Sequence, residues 1–125
     1  MRKCWTPISG LAVPERDLAT LQLTPRYLEM VRQILREQVP GAEVWAYGSR
    51  VNGDSFEASD LDLVVRQPDD LKRETAKWWL LTEAFEESDL PIQVQIVDWA
   101  RIPASFHDEI AAAYVVVQHK SNPVA

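Results

Sequence analysis

The sequence predicts an α/β (α+β) domain, a small mixed sheet with helices packed mainly on one face. Three observations carry this. Some stretches repeat apolar residues at helical spacing while others are short strand-like runs. Pro and Gly breakers separate the two kinds. At 125 residues the chain suits one domain, in which roughly two thirds of the unfolded surface can be buried.

Residues 1–23 contain Pro7, Gly10 and Pro14 without clean periodicity, and read as an irregular N-terminal leader to a domain at 24–125. Thr24-Pro25 is a helix start, with Thr24 as N-cap and Pro25 in the first turn. Tyr27, Leu28, Val31, Ile34 and Leu35 follow at helical spacing, and Pro40-Gly41 ends that helix, predicted over 25–38. Glu43 to Tyr47 reads as a strand running into Gly48-Ser49. The polar stretch Arg50 to Ser59 is a turn or loop, and Leu61 to Arg66 a second strand. After Pro68 and Asp69-Asp70 a helix is predicted over 70–87, with Leu71, Trp78, Leu81 and Phe85 on one face. Residues 92–98 form a third strand and 103–113 another helix. Tyr114 to Gln118 fits either the last turn of that helix or a short edge strand, and periodicity does not decide.

Composition narrows the function. Hydrophobic residues at 46% and charged residues at 26% describe an ordinary globular chain. A formal net charge of -6 disfavours direct binding to bulk nucleic acid. The longest apolar run, Ile110 to Val117, is too short to span a membrane, and no signal peptide is evident. Cys4, the only cysteine, cannot form an internal disulfide, which suits a cytoplasmic protein.

The chemistry-bearing segment is Gly48 to Val65. Strand alternation points Asp60 and Asp62 to one face and Leu61, Leu63 and Val65 to the other. Two neighbouring carboxylates repel, and a divalent cation relieves that repulsion. Carboxylate oxygens suit Mg²⁺, which also takes waters and phosphate oxygens. The glycine lets backbone N–H groups approach a phosphate, and the serine hydroxyl adds a donor. Each half is weak evidence alone. Together, Gly48-Ser49, ten intervening residues and Asp60-X-Asp62 place a phosphate-binding turn beside a metal-binding strand.

On these residues the sequence resembles the minimal nucleotidyltransferases of the polymerase-beta-like superfamily. Arg50 and Gly53 also match the common form of that motif. The likeness extends to Val44-Trp45-Ala46-Tyr47, Glu87-Ser88-Asp89-Leu90-Pro91 and Val97-Asp98-Trp99-Ala100. It is especially similar to the MntA-type antitoxins of HEPN–MNT toxin–antitoxin pairs. The resemblance implies transfer of a nucleoside monophosphate, AMP from ATP, to a hydroxyl of a helical HEPN-type partner. Asp60 and Asp62 would be the metal ligands, with Gly48, Ser49 and Arg50 at the nucleotide. Larger family members grip the base with an added helical domain, so a partner or a second copy in a homodimer would complete that pocket.

The resemblance also exposes a departure. The family's third catalytic aspartate falls at Gln95, three residues before Asp98. Glutamine offers a carbonyl oxygen but neither charge nor basicity. Alternation puts Asp98 on the opposite face. Two function classes follow, a working transferase and a nucleotide- or toxin-binding module that has lost its chemistry. Elsewhere, His107 and His119 lack ligands at metal spacing, and Trp45, Trp78 and Trp99 read as core. Trp79 and Leu80 fall off the buried face of their helix. One of them is expected exposed at a protein interface, unless the helix is buried on two sides.

Overall fold

A computed structural model of the chain describes residues 15–53, 59–76 and 78–120. Its sheet has five strands: β1 (Glu15–Arg16), β2 (Glu43–Tyr47), β3 (Leu61–Arg66), β4 (Val94–Asp98) and β5 (Tyr114–Gln118), in the spatial order β1-β5-β2-β3-β4. The β2–β3 and β2–β5 pairs are antiparallel, and β1–β5 and β3–β4 parallel, so the sheet is mixed as predicted.

The first helix, α1, spans Pro25–Gln38, and the Thr24 hydroxyl accepts the Tyr27 N–H at its start. Its Val31 and Leu35 are fully buried against Val44, Ala46, Leu61, Leu63 and Val65. Each such side chain contributes about 1.5–3 kcal/mol by leaving water. Helix α3, Trp78–Glu86, adds Leu81 and Phe85 to the same cluster. A one-turn helix, α2, covers Ser49–Asn52, and α4 covers Ala104–Ala111.

The fourth helix lies on the other face. There Trp45, Val64, Trp99 and Ile110 form a second cluster, with Tyr47 and Phe106 packed against it. Trp45 stacks on Tyr114 at 3.8 Å and meets Trp99 edge-on at 5.5 Å. The Arg66 guanidinium sits 4.0 Å from the Trp45 ring. His107 stacks on Trp99 and lies 2.7 Å from its carbonyl oxygen, a capping position rather than a metal ligand's. The face that carries Asp62 is therefore partly roofed by α4, while α1 and α3 cover the opposite face.

The structure departs from the predicted 70–87 helix, which begins only at Trp78. Residues 67–76 run as successive turns whose polar groups are claimed by other partners. Asp70 accepts the Lys72 N–H through its side chain, a local bond that competes with helix. The Thr75 N–H, which a helix would direct to residue 71, goes instead to Asp98 Oδ2 at 2.9 Å, and its hydroxyl to Asp98 Oδ1 at 3.0 Å. Leu71 is accordingly exposed, not on a buried helical face, and both Trp79 and Leu80 are exposed. The open choice at 114–118 resolves as strand, because Val115 and Val116 pair with Ala46 and Trp45. Within the stretch read as a leader, residues 15–23 supply β1, a 3-10 turn at Leu18–Thr20 and the buried Leu21.

Candidate active site

The site is built where β2 ends beside the start of β3. Register pairs Tyr47 with Asp62, so the carboxylate lies across from the last residue before Gly48. Gly48 has φ 82° and ψ -152°, a backbone region that essentially only glycine enters. A Cβ there would stand 2.5 Å from Asp62 Oδ2. The glycine thus does two things: it turns the chain into α2 and leaves space for the Asp62 carboxylate. The Val51 and Asn52 N–H groups close the turn on the Gly48 carbonyl, and Ser49 stands at its first position. That N-terminal end carries partial positive charge suited to a phosphate.

Parallel pairing of β3 with β4 sets Gln95 directly beside Asp62. The Gln95 Nε2 donates to Asp60 Oδ2 at 3.4 Å. Asp60, Asp62 and Gln95 therefore meet at one place, next to Gly48. Asp98 is elsewhere. It is paired with Val65 on the core face, buried, and both its oxygens serve Thr75, with Arg101 Nε 3.7 Å away. Nothing among the described residues supplies a third acid to the Asp60–Asp62 pair.

Arg50, read from the sequence as a nucleotide ligand, is 6% exposed. Its Nε and Nη2 donate to the Ser59 carbonyl at 3.1 and 2.8 Å, and Nη1 donates to the Gln22 carbonyl. The Gln22 N–H returns a bond to the Arg50 carbonyl at 2.9 Å. In this arrangement Arg50 braces the residue preceding Asp60 and ties the 15–23 segment to the site. Motif spacing carries no sign of this, because both acceptors are backbone atoms distant in sequence.

The electrostatics fit a cation. Burial first, and then the neighbouring Asp60, push the Asp62 carboxyl above its ordinary value. Tyr47 is pushed up to about 12 by burial, by Asp62 and by Glu109 of α4. Sequence reasoning missed Glu109, which periodicity marks only as a helix surface residue. Two crowded carboxylates, with an amide oxygen available on Gln95 by rotation of its side chain, form a hard-oxygen donor set. They leave positions for phosphate oxygens and water.

One consequence is testable on the protein without ligand. Because the folded-state value of Asp62 lies above its unfolded value, its favourable contribution is confined to acid pH and is lost as pH rises through the folded value. At neutral pH the ionised group is a net cost, moderated by its partial exposure. Asp62→Asn should raise the thermal midpoint by about 1–3 °C at pH 7, and the gain should shrink towards pH 3. A midpoint lowered at pH 7 would contradict this electrostatic reading.

The Nucleotidyltransferase domain family matches residues 28–118. The chain is 42% identical over 111 residues to a probable protein adenylyltransferase MntA of Haemophilus influenzae, covering 86% of this chain and 93% of that protein. Among solved structures, a crystal structure of a toxin-antitoxin with AMP-PNP superposes with a TM-score of 0.60 over 75% of this chain and 74% of the other, at 18% identity. That identity speaks to the fold alone. No helix among the described residues is long and apolar enough to cross a membrane.

Proposed function

Given that the chain belongs to the nucleotidyltransferase domain family, we propose that it transfers AMP from ATP to a hydroxyl of a partner protein, as the cytoplasmic antitoxin of a helical HEPN-type toxin. The observation that supports this most is the Asp62 carboxylate seated against Gly48 at the opening of the Ser49 turn, with Asp60 and Gln95 beside it. The name of the 42%-identical relative supports the choice of adenylyl group and protein acceptor.

In this reading Asp60 and Asp62 hold Mg²⁺, and Gly48 and Ser49 hold the triphosphate tail. Bound Mg²⁺ neutralises phosphate charge and aligns the reacting groups. Arg50 acts as a positioning residue through Ser59. The acceptor oxygen forms its bond to the α-phosphorus as the bond to the β-phosphate bridging oxygen breaks, and pyrophosphate leaves with the electron pair. The acceptor's proton passes to water, since Gln95 has no basic group and Asp98 is engaged with Thr75.

Gln95 also favours a second reading, a module that binds nucleotide and toxin without chemistry. The two separate cleanly. Mass spectrometry of the toxin after incubation with this chain, ATP and Mg²⁺ should show an added AMP. An unmodified toxin would remove the transferase reading and leave the binding module. Within the transferase reading, Gln95→Asp restores a charged third ligand beside Asp62, and transfer should rise at least about tenfold, or roughly 1.4 kcal/mol of barrier. Unchanged or slower transfer would show that the site works with the neutral amide.

A further inference from the structure

Strand β4 is the outermost strand of the sheet beyond β3, and it carries Gln95 into the site. The Leu61 N–H donates to the Gln93 carbonyl at 2.9 Å. In a parallel ladder this turns the odd-numbered residues of the strand towards β3 and points the N–H and C=O of Val94 and Ile96 outward. Among the described residues no strand pairs with that edge. A cavity of about 510 Å³ runs beside it, lined by Trp78, Phe85 and Glu86 from α3 and by Ile92, Val94 and Ile96. Trp79 and Leu80 of α3 are also exposed, outside that lining.

The chemistry of the site says what should enter. Phosphoryl displacement keeps the attacking and leaving oxygens roughly in line. Pyrophosphate leaves over the Ser49 turn at the end of β2, and the aspartates stand on β3. The strand order β2-β3-β4 therefore brings the acceptor in from the β4 side. We infer that the acceptor-bearing segment of the partner protein binds as an extended strand along the outer edge of β4, with alternate side chains in the groove under α3. This rests on the transferase reading above and specifies how its protein substrate is held.

One feature of the docked segment follows from charge. Glu83, Glu86 and Glu87 are exposed along the same stretch, so Lys or Arg in the docked segment would be favoured over acidic residues. Main-chain bonds would supply affinity and the groove would select side chains.

Hydrogen exchange on the complex tests this directly. The unaltered chain is compared alone and with its purified toxin partner, Mg²⁺ and a non-hydrolysable ATP analogue. The amides of Val94 and Ile96 should exchange at least about tenfold more slowly in the complex. As a second measure, Ile96→Pro removes an outward N–H that Ile96→Ala keeps, while both lose the isoleucine side chain. The Michaelis constant for the acceptor should be at least about tenfold higher in the proline variant, with that for ATP alike in the two. Partner binding and AMP transfer without protection at Val94 and Ile96 would overturn the docking and leave the transferase reading intact. Absence of any complex would overturn both.

Discussion

Gly48→Ala should lower affinity for Mg²⁺–nucleotide by about a hundredfold or more, corresponding to roughly 2.7 kcal/mol. The methyl group would stand 2.5 Å from Asp62 Oδ2, so the carboxylate must swing away from the place where it meets Asp60 and Gln95. Its backbone region adds about 1–3 kcal/mol of strain for any residue but glycine. Gly53 supplies the control. It also has positive φ, 85°, but a Cβ there would meet nothing within 4 Å among the described residues. Gly53→Ala should therefore cost about 1 kcal/mol in stability and leave nucleotide affinity nearly unchanged. Equal loss of affinity in both variants would show that strain, rather than contact with Asp62, sets the effect.

The second large effect is expected at Asp98, and it is one of stability. Asp98→Ala leaves the Thr75 N–H and hydroxyl buried without their acceptor, which should cost about 2–4 kcal/mol and lower the thermal midpoint by about 10 °C. The turns at 67–76 that connect β3 to α3 would loosen first. Nucleotide affinity at temperatures where the variant remains folded should be close to that of the unaltered chain, because Asp98 faces away from Asp60 and Asp62. If Asp98→Ala abolished transfer while leaving the fold stable, Asp98 would have to be counted among the catalytic groups.

These two positions also show how far the sequence could be read. Gly48, Asp60 and Asp62 lie within fifteen residues, and strand alternation with a glycine turn brings them together almost unaided. Gln95 is singled out only through the family resemblance, by counting back three residues from Asp98, and the parallel register that sets it beside Asp62 is visible only in the folded chain. The helix expected over 70–87 is present from Trp78 to Glu86, and only its first part is not helical. Local signals from Pro68 to Trp78 are compatible with a helix, and the group that prevents one, Asp98, lies 23 residues beyond Thr75. At Arg50, which the motif resemblance places at the nucleotide, only the folded chain shows the guanidinium on the carbonyls of Ser59 and Gln22. The placement of α4 over the Asp62 face, which brings Glu109 near Tyr47, depends on chain path after β4 and leaves no mark in periodicity.

In the proposed function Gly48, Ser49, Asp60 and Asp62 form one metal-dependent nucleotide site. Calorimetric titration of the unaltered chain with a non-hydrolysable ATP analogue tests it most directly, with and without Mg²⁺ and against the Asp60→Ala, Asp62→Ala double variant. Binding should require Mg²⁺ and should weaken by about a hundredfold or more in the double variant, a loss of roughly 2.7 kcal/mol. Binding of equal strength without Mg²⁺, or in the variant lacking both carboxylates, would contradict it.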